Sequence, residues 1–142
     1  MAKTILLPVD LADEKSWRAA LGEAVTMLRV SGGVLHVVTV LPDFGMSMVG
    51  SYFRKDYERE ALRAVGRALT EWVGAHIPED IEVHPHVLHG SIYDEILRAA
   101  DKLGADVIVI GSHRPELKDY LLGPNAARVV RHARQSVYVV RD

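Results

Sequence analysis

The sequence predicts a parallel α/β domain with helices on both faces of its sheet, and three observations carry that expectation. Strand-length apolar runs alternate with helical periodicities in the order βαβαβαβαβ. The runs Val34–Val40, Asp106–Ile110 and Ser136–Val140 are apolar almost throughout. Strands buried on both faces read this way, whereas half-buried strands alternate. The chain has 142 residues, the size of one domain and not two, so 1–142 is read as a single unit.

Thr4–Val9 opens the chain as a short buried strand ending in Pro8-Val9-Asp10. Asp13 or Ser16 is suited to cap the helix that follows. Trp17, Leu21, Ala24, Val25 and Leu28 recur at helical spacing, and Gly32-Gly33 ends that helix. The second strand is Val34–Val40. A loop from Leu41 to about Ser51 precedes a long amphipathic helix over Tyr52–His76, which Pro78 closes. Ile81–Leu88 is a third strand. Pro85 removes a ladder donor from it, which makes it an edge strand. Gly90-Ser91 opens a helix through Leu103, with Ile92, Ile96, Leu97 and Ala100 facing inward, and Gly104 ends it. Asp106–Ile110 is the fourth strand, Gly111–Gly123 a polar loop, Pro124–His132 a short helix and Ser136–Val140 the last strand.

Composition excludes several classes. Lys and Arg number 17 against 19 Asp and Glu, a formal net charge of −2. A near-neutral chain gives no electrostatic reason to expect nucleic acid or an anionic membrane as partner. There is no cysteine, hence no disulfide framework, cysteine zinc site or thiol nucleophile. No apolar run approaches the roughly 20 residues that span a bilayer, and the N-terminus lacks the pattern of a secretory leader. A cytoplasmic location is expected.

In an open α/β sheet, ligands bind beyond the C-terminal strand ends, where the strand order reverses. Two segments meet that condition: Pro8-Val9-Asp10 after the first strand, and Gly111 onward after the fourth. If those strands are neighbours, Asp10 and the Gly111 loop face one crevice. The loop leads into a helix at Pro124, whose exposed N–H groups and dipole favour an anion. Neither G-x-G-x-x-G after the first strand nor G-x-x-x-x-G-K-[ST] is present. A simple dinucleotide fold and a P-loop enzyme are therefore not expected.

Three separated segments carry a family resemblance. They are Asp106–Pro115 (DVIVIGSHRP), Tyr120–Ala133 (YLLGPNAARVVRHA) and Ser136–Arg141 (SVYVVR). Together they resemble the C-terminal half of the universal stress protein family. Thr4–Asp10 (TILLPVD) and Leu35-His36-Val37-Val38 resemble its N-terminal half, so the likeness covers essentially the whole chain. It is nearest to small bacterial members with a Ser-His-Arg-Pro loop. The resemblance implies a three-layer α/β/α sandwich, Rossmann-like and akin to the adenine nucleotide alpha hydrolases. Its five-stranded parallel sheet would have the order 3-2-1-4-5.

Many members of that family bind ATP or AMP through G-x2-G-x9-G-[ST] after the fourth strand. Carried over residue by residue, Pro8, Val9 and Asp10 would line the adenine and ribose side, with Asp10 near the ribose or a magnesium ion. Val37 and Ile110 would pack against base or ribose, and Gly111 would let backbone approach the nucleotide. Gly123, Pro124, Asn125 and Ala126 would hold phosphates, flanked by His113 and Arg114. Three departures stand out. Arg114 replaces the second glycine, the spacing to Gly123 is one residue short, and Pro124 replaces the Ser or Thr. Proline suits the start of a helix but offers neither hydroxyl nor backbone N–H. Each lost donor to phosphate costs about 1.5–3 kcal/mol. Arg114 is placed to compensate through a bidentate grip.

Other clusters have plainer explanations. His84 and His86 share a strand face while His89 points away, so the trio is a poor zinc site. His36 reads as a core histidine with a satisfied ring. Ser112 beside His113 lacks an orienting acid, which argues against a hydrolase triad. Met46 and Met48 lie with Phe44 and Val49 in an apolar loop before Tyr52 and Phe53, which reads as packing across a ligand mouth or between copies, with a mobile lid or a partner surface as the alternative. The last strand is an edge that invites pairing with a second copy through Val137, Tyr138, Val139 and Val140.

The resulting expectation is a dimeric regulatory protein of the stress response. It would bind adenine nucleotide, order the Gly111–Gly123 loop and present a changed surface to a protein partner. Such a switch requires unequal affinity for two states. The rivals are an interaction module of the same fold that binds no nucleotide, and a slow ATP hydrolase with Asp10 or His113 as base.

Overall fold

The computed structural model describes residues 2–42, 51–112 and 123–141. The strands are β1 (Lys3–Pro8), β2 (Gly33–Leu41), β3 (Glu82–His89), β4 (Val107–Ser112) and β5 (Ser136–Arg141). The helices are α1 (Arg18–Ser31), α2 (Ser51–His76), α3 (Ile92–Leu103) and α4 (Gly123–His132), and a 3-10 turn spans Glu14–Ser16. All strand pairs are parallel and the sheet order is β3-β2-β1-β4-β5, so β1 and β4 meet where the order reverses.

Alternation along the strands divides the core in two. Ile5, Leu7, Leu35, Val37 and Val109 point to one face and pack with Ala20, Leu21, Ala24 and Leu28 of α1 and Leu69 and Trp72 of α2. Leu6, Val38, Ile108 and Ile110 point to the other face, against Ile96, Ala99 and Ala100 of α3 and Ala126 and Val129 of α4. Because both faces are covered, the strands need apolar residues at nearly every position. Trp17 meets Trp72 edge-to-face at 5.0 Å between ring centroids, closing the first cluster at the start of α1.

Local signals act largely as the sequence implies. β3 and β5 are the two edges. Gly104 ends α3 in a left-handed conformation. Gly33 begins β2 at φ 121°, and a β-carbon there would stand 1.9 Å from the Lys3 carbonyl oxygen. Asp13 does cap, but it caps the 3-10 turn by accepting from the Lys15 N–H. Trp17 precedes α1 without a side-chain cap. α4 starts at Gly123, so Pro124 is its second residue rather than its first. β4 extends to Ser112, past the expected end at Ile110, because it pairs with β5 as far as Arg141.

Candidate functional site

The backbone turns sharply after β1. The Val9 N–H still donates to the Val38 carbonyl at 2.9 Å, extending the β1–β2 pairing by one step. The chain then closes on itself: the Asp13 N–H donates to the Asp10 carbonyl at 3.0 Å. The Asp10 carboxylate accepts from the Ala12 N–H at 3.0 Å, a local turn that short acidic side chains favour. Ser16, nearly fully buried, accepts the Asp10 N–H at 3.2 Å and donates its hydroxyl to the Asp13 carbonyl at 2.6 Å. Asp10 is thus both half-exposed at the strand end and fixed in place.

A cavity of about 90 Å³ opens beside this turn. Pro8, Val9 and Asp10 form one wall, Val38, Thr39, Val40 and Pro42 of the β2 end another, and Ile92 and Ile96 of α3 the third. The lining is mainly apolar; Asp10 and Thr39 are its polar residues, and strand alternation turns the Thr39 side chain to the opposite face of the sheet, with Val37. Apolar walls with a few convergent polar groups are the usual form of small-molecule sites, although such pockets commonly exceed roughly 300 Å³.

Pro8, Val9 and Asp10 therefore stand together where the sequence placed them. Val37 does not join them. It lies opposite Leu7 and Pro85 in register, and its side chain is buried in the first core cluster. Successive strand residues face opposite ways, so Val38 lines the cavity instead. Ile110 shares the cavity's face of the sheet but is fully buried under α3 and α4. Gly111 is a paired strand residue, not the first residue of a loop. Its missing side chain makes room for the Ser16 carbonyl, which a β-carbon would approach to 2.2 Å. The absence of a β-carbon there accommodates the turn after β1.

Gly123, Pro124 and Asn125 form the first turn of α4, while the Ala126 side chain is buried in the second core cluster. That first turn contains no acidic residue, and Arg131 and His132 lie in the last. The positive end of this helix is therefore not offset by its own side chains. In α3, by contrast, Asp94 and Glu95 occupy the first turn. His113 and Arg114 lie outside the described residues, as does the apolar Phe44–Val49 segment.

The sequence reading missed Val38, Thr39, Val40, Pro42, Ile92 and Ile96 as site residues. The signal was there in part: the phase of β2 puts Val38 and Val40 on one face, and Ile92 and Ile96 lie one helical turn apart. Among the described residues, no group of three or more His, Asp or Glu is arranged to hold a metal ion. His36 is half-buried, and its ring nitrogen Nδ1 lies 2.9 Å from Nε2 of His86, so its partner is another histidine. No described helix is long and apolar enough to cross a membrane.

A five-stranded parallel sheet of this order, with a cavity beside its reversal point, defines a three-layer, Rossmann-like α/β/α protein. Comparison with known proteins then sets the family. The model of the universal stress protein family matches residues 1–141. Universal stress protein G of Escherichia coli O157:H7 is 38% identical over 144 residues, covering 99% of this chain and 100% of that protein. The chain belongs to the universal stress protein family. Two solved structures share the fold. One, a universal stress protein in complex with cAMP, has a TM-score of 0.61 at 21% identity, covering 99% of this chain and 97% of the other. The second, the universal stress protein from Archaeoglobus fulgidus in complex with dAMP, has a TM-score of 0.61 at 23% identity, covering 96% of each chain.

Proposed function

We propose that this protein binds an adenine nucleotide at the C-terminal ends of β1 and β2 and acts by ligand-dependent regulation of the stress response rather than by turnover. The observation that carries it is the apolar cavity between the C-terminal ends of β1 and β2, beside the fixed Asp10 turn, β1 being one of the two strands that meet where the order reverses. Its volume suits an edge of a purine rather than a whole nucleotide. The ribose and phosphates would extend toward the first turn of α4, which has no acidic residue to repel them. The family relatives crystallised with cAMP and dAMP support the same ligand class. ATP, with magnesium held near Asp10, is the form we favour. The nucleotide would undergo no reaction; Asp10 would orient it and the cavity walls would exclude water from the base.

The interaction-module reading also has an observation behind it. Pro124 removes one amide from the α4 turn that would face a phosphate. Calorimetric titration of nucleotide-stripped protein with AMP and with ATP and magnesium separates the two. Micromolar binding that is lost in Val40→Trp, where an indole occupies the cavity, supports the nucleotide site, provided the variant keeps the wild-type circular dichroism. No heat and no thermal shift at millimolar nucleotide overturns it and favours a protein partner. We further propose a cytoplasmic location and a homodimer through β5.

A further inference from the structure

His36 of β2 stands opposite His84 of β3, and His86 follows two residues later opposite Val38. Strand alternation puts all three imidazoles on the face that α3 and α4 partly cover. His36 and His86 are half-buried there, and His84 is more exposed. The His36 ring stacks on His84 at 5.3 Å between centroids and lies 5.1 Å from that of His86. Nδ1 of His36 and Nε2 of His86 are 2.9 Å apart. Such a contact needs one N–H and one lone pair. It holds when both rings are neutral and when one is protonated. When both are protonated, two N–H groups and two positive charges face each other with no acceptor between them.

The surroundings offset this only in part. Glu82 on β3 is the nearby carboxylate, and it is engaged by Nε2 of His84 at 2.8 Å. Lys102, in the last turn of α3, adds a further positive charge that acts on His86. On the β1 side, the residue in register with His36 is the apolar Leu6.

We propose that the His36–His86 contact is an acid-sensitive latch, which ties the edge strand β3 to β2 and opens when both rings become protonated. Burial first, and then His86 and His84, hold His36 below the ordinary histidine value of 6.5, against a smaller opposing pull from the Glu82 charge. Burial first, then His84 and Lys102, do the same for His86. The folded state therefore binds fewer protons than the unfolded chain as pH falls below 6.5. The stabilisation is complete above that value and is lost as pH drops through the lowered folded values.

The test is an NMR titration of the imidazole nitrogens in wild type and His86→Gln, with urea unfolding at about pH 7.5 and about pH 5.5, on either side of the ordinary histidine value. In wild type, His36 titrates below 6.5. In His86→Gln its midpoint rises by about half a unit or more, because a like charge is gone. The loss of unfolding midpoint between the two pH values shrinks in the same variant. An unchanged His36 midpoint together with an unchanged pH loss overturns the latch. Should the variant not fold, the wild-type protein decides the matter through hydrogen exchange. Amides of β3 that open more at acid pH, relative to those of α1, support the latch. Equal opening of both overturns it.

Discussion

The carbonyl oxygen of Ser16 lies 2.2 Å from where a β-carbon of residue 111 would stand, so Gly111 and the turn after β1 are built around each other. Gly111→Ala forces either β4 or the Ser16 turn to move, since the obstructing atom is backbone. The expected loss is about 1–3 kcal/mol, the usual range for overpacking. At this chain length that lowers the melting temperature by roughly 2–4 °C per kcal/mol. Thermal unfolding checks it, and an unchanged midpoint would show that the turn yields freely. Because the same turn fixes Asp10, loss of ligand in a Gly111 variant does not locate a phosphate.

Tyr138 provides a pH-dependent prediction. Its phenol donates to the Glu23 carboxylate at 2.6 Å, linking β5 to α1. That hydrogen bond is the main reason its pKa lies above the ordinary value of 10.0, with desolvation and the Glu23 charge adding to it. A raised value means the folded state keeps its proton longer. The stabilisation is therefore present below 10.0 and is lost as pH rises through the folded value. Phenolate absorbance should show one of the five tyrosines ionising late, and Glu23→Gln should return it toward the others. Indistinguishable titration curves would dissolve the link.

The open edge at β5 is expected to pair with a second copy. Sedimentation should report twice the 15.7 kDa chain mass at micromolar concentration. Tyr138→Asp places a charge on that edge and should shift the mass toward the monomer, since charges on an edge strand discourage pairing. A wild-type protein of monomer mass at every accessible concentration removes the β5 dimer.

Much of the architecture was legible because burial on two faces leaves a strong trace. β2 and β4 read as strands from continuous apolarity, and Pro85 alone marked β3 as an edge. The sheet order came with the family likeness, since nothing in the periodicity says which strands are neighbours. The candidate cavity was legible at Pro8-Val9-Asp10, where a strand end and a turn acid coincide. At Val37 the sequence left the face of the strand open, because a strand apolar at every position gives no phase with which to tell its two faces apart; the structure puts that side chain in the first core cluster. Gly111 was ambiguous for a different reason. A glycine reports that something comes close, and here it is the Ser16 carbonyl from a distant turn. His36 looked like a core residue because its cross-strand partners lie about fifty positions away in the chain.

Pro85 carries one more consequence. It sits in β3 opposite Val37 and presents no N–H in any direction. A foreign strand approaching that side meets an interrupted row of donors beside half-exposed imidazoles, whereas β5 has no proline to interrupt its own row. The two margins of the sheet are thus unequal: one is guarded against uninvited neighbours and the other is left receptive. Two chains joined through their receptive margins would turn only guarded ones outward, so growth would stop at the pair instead of running on into a fibre.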